Sequence, residues 1–110
     1  MADEKILTNA QEDESSTLVK FGKAYRFEGK DYTEVDLSGM DDLSAEDMIA
    51  ADRYLTRSGS FSVMPEMTLE YACFIAARAA KQPIEFFRGL PPKDALKVKN
   101  RVTSFFYSED

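Results

Sequence analysis

A chain of 110 residues, 44% of them hydrophobic and 31% charged, is long enough for one modest core and too apolar to stay unfolded throughout. Its formal charge of −6 disfavours a general affinity for nucleic acid or an anionic membrane, both of which attract positive surfaces. One cysteine and no histidine exclude an intramolecular disulfide and any all-cysteine or cysteine–histidine metal site, and leave acid–base chemistry to carboxylates, lysines, tyrosines or one thiol.

Residues Met1 to Ser16 are polar, with Asp3, Glu4, Glu12, Asp13 and Glu14 among them and no apolar period of either kind. A disordered acidic tail over 1–16 and a single α+β domain over 17–110 are therefore expected. The start lacks the basic and apolar blocks of a signal peptide, and no stretch reaches the ~18 apolar residues of a spanning helix. A cytoplasmic protein is the expectation.

Tyr25-Arg-Phe27 and Tyr32-Thr-Glu-Val-Asp-Leu37 are alternating and rich in aromatic and β-branched residues, with Gly29 between them. This pattern predicts a β-hairpin. A three-residue loop would place Tyr25 and Phe27 on the face of Val35 and Leu37, whereas a two-residue loop would separate them; the first gives one apolar face and is expected.

The rest reads as about four helices on which the hairpin packs. Ser44 is an N-cap, Asp47 can return the capping bond and Leu43 can staple against Met48, with the helix running to about Ser58 before Gly59. Met48, Ala51, Asp52 and Leu55 form its thin inner stripe. Ser60 to Pro65 breaks the period as an apolar loop. Thr68 opens a second helix to about Lys81, in which Leu69, Cys73, Ala76 and Ala80 share a stripe and Ile75 and Phe74 widen it; this is the expected centre of the fold. Pro83 starts a short helix to Arg88, and Pro92 a last one to about Tyr107 with Ala95, Val98, Val102 and Phe105 on one face.

Little catalytic chemistry is present. Asp36, Asp41, Asp42, Glu46 and Asp47 do not have the spacing of an EF-hand loop, and the later ones suit a helix N-terminus. Cys73 sits in an apolar helical surround without a nearby base and reads as a core residue. The five glycines are dispersed and form no phosphate loop. A non-enzymatic protein without cofactor or metal is expected.

Aromatic residues carry the remaining signal. Phe61, Val63 and Met64 occupy a loop, while Phe86-Phe87 and Phe105-Phe106 are adjacent pairs on helices, where neighbours diverge by about 100°. One of each pair can thus face outward or toward a partner, the alternative for each ring being a core covered by helices from several sides; Phe86, Phe87, Phe105 and Phe106 are the candidate partner-binding residues. Arg78, Lys81, Arg88, Lys93, Lys97, Lys99 and Arg101 make the last third basic, so a regulatory adaptor touching nucleic acid through its final helix is the competing reading.

Phe27-Glu-Gly-Lys-Asp-Tyr32, Val35-Asp-Leu37 and the capped helix from Leu43 to Arg53 are followed by the alanine-rich Leu69-Glu-Tyr-Ala-Cys-Phe-Ile-Ala-Ala-Arg-Ala-Ala80. Then come Pro83-Ile-Glu-Phe-Phe-Arg-Gly-Leu-Pro91 and Asp94-Ala-Leu96. In this order and spacing, over Val19 to Tyr107, the chain resembles the phage tail assembly chaperones, small proteins encoded among the tail genes of long-tailed phages and prophages. The acidic tail is a departure from that pattern. The resemblance implies a protein of the host bacterial cytoplasm, absent from the mature virion, that binds the tape measure protein, keeps it soluble and helps tail tube subunits polymerise around it. The tail tube protein is a further partner in this picture, while the sequence leaves open whether a second copy of the chain is one. Many relatives also have a frameshifted longer product with a tube-recruiting extension, which a chain stopping at Asp110 is expected to lack.

Overall fold

The computed structural model describes residues 17–59, 65 and 68–107. Strands β1 (Leu18–Phe27) and β2 (Lys30–Asp36) are followed by a 3-10 helix (Ser38–Asp42) and by helices α1 (Ala45–Arg57), α2 (Leu69–Ala80), α3 (Ile84–Arg88) and α4 (Pro92–Tyr107). The fold is α+β, an N-terminal hairpin on four helices. The acidic tail of Met1 to Ser16 and the apolar stretch with Phe61, Val63 and Met64 lie outside the described residues.

The hairpin corrects the expected register. Glu28 and Gly29 have φ of 51° and 83°, so the turn has two residues, both left-handed, and Phe27 pairs with Lys30. That geometry matches the twist of the flanking strands, and Gly29 adopts it without steric cost. The apolar face is recovered differently. Pairing runs from Tyr25↔Tyr32 to Lys20↔Glu34, which sets Phe21, Gly22, Lys23 and Ala24 against Thr33 alone. With this irregularity Tyr25, Phe27 and Tyr32 near the turn and Val19 and Val35 beyond it all join the core. β1 also begins at Leu18, well before the expected Tyr25.

A short helix fastens the hairpin. The ring of Phe86 lies 4.9 Å from Tyr32, 5.2 Å from Tyr25 and 5.2 Å from Phe27, each nearly edge-to-face, and 4.9 Å from its neighbour Phe87. The Tyr25 hydroxyl donates to the Phe86 carbonyl at 2.8 Å. Gly89 makes room for that bond, since a Cβ there would sit 2.7 Å from the Tyr25 Oη.

Helix α4 completes β1 from the other side. Residues 94, 97 and 101 fall on one helical face. Asp94 accepts from the Gly22 amide at 3.0 Å, Lys97 donates to the Lys20 carbonyl at 2.8 Å, and Arg101 reaches the Leu18 carbonyl at 3.4 Å. Asp94 and Arg101 are buried; hydrogen bonding to backbone is what makes such burial tolerable.

Central helix α2 packs against α1, α3, α4 and the 3-10 helix. Small residues on both partners permit this: a Cβ on Gly39 of the 3-10 helix would come within 2.2 Å of the carbonyl oxygen of Ala79 in α2. Tyr71, Ile75 and five of its other residues, all alanine or cysteine, are buried. Leu69, expected on that stripe, is exposed instead, because α2 begins at this residue. The Ser44 cap formed as expected: Asp47 accepts from the Ser44 amide at 2.8 Å, and the Ser44 hydroxyl accepts from Glu46 at 3.2 Å.

Phe86→Ala is expected to lower stability by about 3–5 kcal/mol, because it deletes a fully buried ring that cannot be replaced by collapse of so short a helix. Urea unfolding measures this. A loss under about 1 kcal/mol would mean that the hairpin is held elsewhere.

Candidate functional site

The four candidate phenylalanines divide into two kinds. Phe86 and Phe87 are 0% and 1% exposed, which corrects their place among the candidate partner-binding residues. Adjacent helical side chains diverge, but α3 is a five-residue helix covered on one side by the hairpin rings and on another by α2. Both directions therefore lead into the core. Neither ring is available as a surface anchor.

Phe105 and Phe106 are half-buried near the end of α4. Their ring centroids are 5.8 Å apart, and Phe106 meets Tyr71 of α2 at 6.0 Å. Both line a surface depression of about 300 Å³. Buried Met40 and Ile75 are part of its lining, as are half-buried Leu43 and, at the start of α1, Ser44, Ala45 and Met48. Met48 remains 36% exposed. The lining is almost wholly apolar and holds two methionines, whose flexible side chains adapt to varied partners.

The Ser44 capping box helps fix this wall. It sets the direction in which the chain enters α1, and Leu43 and Met48, at the two positions of a hydrophobic staple, both reach the depression. The Leu43–Met48 spacing was thus a readable signal for part of the site. Met40 was not readable, since it belongs to a 3-10 helix that the Asp36 side chain introduces by accepting from the Ser38 amide at 2.9 Å.

Cys73 and several of the basic groups are engaged in structure. Burial pushes the Cys73 thiol up to about 11, against a partial lowering by Arg88, which leaves it almost wholly protonated and unreactive near neutral pH. Among the described residues no cluster of carboxylates or cysteine has the arrangement of a metal site. Arg78 pairs with Asp47 at 2.7 Å and lies over the Phe74 ring at 5.0 Å. Arg88 bonds the Tyr54 hydroxyl and sits 3.8 Å from Glu70. With Lys97 and Arg101 on β1 carbonyls, much of the basic last third serves internal contacts. Among the described residues no helix is long and apolar enough to cross a membrane.

The Ser44 amide, then Arg78, hold the Asp47 carboxyl below its ordinary value of 3.8. A depressed carboxylate contributes stability that is present above the unfolded value and is lost as pH falls through the folded one. Wild type is therefore expected to exceed Asp47→Asn in stability at neutral pH, with the gap closing as pH drops below about 4. Thermal melts of both proteins across that range check the sign; a gap that widens on acidification would contradict it.

No protein-family model matches this sequence, and neither a curated protein nor a solved structure matches it.

Proposed function

We propose that this chain is a phage tail assembly chaperone: a non-enzymatic protein of the host cytoplasm that binds the tape measure protein, keeps it soluble and assists assembly of the tail tube. The order of motifs from Val19 to Tyr107 motivates the family. The observation that carries the binding role is the open apolar depression beside Phe105, Phe106 and Met48, a form suited to side chains presented along one face of a helix. A long helical protein offers many such faces. The tail tube protein is a second candidate partner.

The competing adaptor reading needs a basic helix free to meet phosphates. Lys97 and Arg101 instead hold β1, and this favours the chaperone.

Co-expression with the tape measure protein tests the proposal. The wild-type chain should co-purify with it and raise its soluble fraction. Met48→Glu should reduce the co-purified amount by about tenfold or more, as loss of an interface anchor does, while leaving the circular dichroism melt within a few degrees of wild type. If the wild-type chain neither co-purifies nor raises solubility, the chaperone reading fails. If it does both and Met48→Glu, Phe105→Ala and Phe106→Ala all bind normally, the partner uses another surface.

A further inference from the structure

Acidic residues are the immediate chain neighbours of the apolar lining. Asp41 and Asp42 lie in the chain between its lining residues Met40 and Leu43, and Glu46 follows Ala45; all three are exposed. Among the described residues no ion pair involves any of them, whereas nearby Asp47 is neutralised by Arg78. The lining itself carries no charge. An apolar floor thus sits beside three carboxylates on a chain whose net charge is already −6.

The walls also restrict the backbone of an occupant. Every lining residue belongs to a helix, to the 3-10 helix or to the Leu43-Ser44 link between them, so no strand edge is offered. No strand edge here can pair with the backbone of an extended peptide, whereas a helix satisfies its own backbone and presents its anchors along one face. The volume of about 300 Å³ is at the small end for a whole small molecule and suits individual anchoring side chains.

We infer that the depression takes the apolar face of an amphipathic helix carrying lysine or arginine beside its anchoring residues, with Asp41, Asp42 and Glu46 selecting the positive flank. This rests on the helix-binding reading above and adds the chemistry of the partner segment. The carboxylates discriminate among helices of equal apolarity by steering positive ones in and repelling acidic ones.

Two helical peptides of about 18 residues provide the test, with the same leucine stripe and one tryptophan in it, flanked by lysine in one and glutamate in the other. The full chain has no tryptophan, so peptide fluorescence reports burial directly. At low salt the lysine peptide should bind about tenfold or more tightly than the glutamate peptide, as several peripheral charge contacts allow. The difference should collapse near 1 M salt, where screening acts over ~3 Å. The D41N/D42N/E46Q triple variant, shown folded by circular dichroism, should lose the preference. Met48→Gln, which leaves the charge unchanged, should weaken the lysine peptide several-fold. Equal affinities, or a preference that survives the triple variant, would overturn the inference. So would sedimentation showing a dimer that Met48→Gln dissociates, because a second copy would then be the occupant. If the lysine peptide binds as expected but the wild-type chain neither co-purifies with the tape measure protein nor raises its solubility, the chaperone reading fails and this inference stands; the reverse pattern fails this inference alone.

Discussion

A two-stranded hairpin is not stable alone in water, so the fold depends on how this one is covered. Phe86 supplies the cover. Its ring gathers Tyr25, Phe27 and Tyr32 from both strands, and its carbonyl takes the Tyr25 hydroxyl. Edge-to-face ring pairs contribute about 0.5–1.5 kcal/mol each beyond their area, and here several converge on one side chain. The short helix that presents Phe86 is held in turn against α2, the element on which the other helices pack.

Helix α4 connects the closed end of the molecule to the open one. Along its first two-thirds Asp94, Lys97 and Arg101 hydrogen-bond to the β1 backbone, Asp94 at Gly22 within the strand irregularity and the other two at the paired residues Lys20 and Leu18. Near its end Phe105 and Phe106 form part of the depression. Between these, Val98 and Val102 are buried against the core. The polar contacts to β1 and the apolar contacts to the core together fix the position of the helix whose end shapes the binding wall. Stability and the proposed binding surface thus share one element but use different side chains.

Most of the helical structure was legible because it is encoded locally. Ser44 with Asp47, Thr68 ahead of the alanine-rich run, and Pro92 at the last helix each announce a boundary within a few residues. The hairpin register was less legible, because it turns on Glu28 adopting a left-handed backbone and on an irregularity opposite Thr33. Asp94 meets Gly22 across 72 residues of sequence, a separation that no local period reveals. The candidate site was half legible. Phe105 and Phe106 do line a surface, while Phe86 and Phe87 do not, because helical divergence says how two side chains differ in direction and not whether both directions are covered.

Phe86 closes the core, and under the proposed function the depression beside Phe105 and Phe106 receives the partner. NMR of the full chain labelled at methionine methyls and phenylalanine rings, titrated with purified tape measure protein, addresses this division most directly, since Met40 and Met48 both line the depression and Phe86 lies in the core. The account predicts that the Met40 and Met48 methyl signals shift or broaden in step with binding while the Phe86 ring signals stay in place. Formation of a complex that leaves both methyl signals unchanged, or that moves the Phe86 ring signals instead, would contradict it.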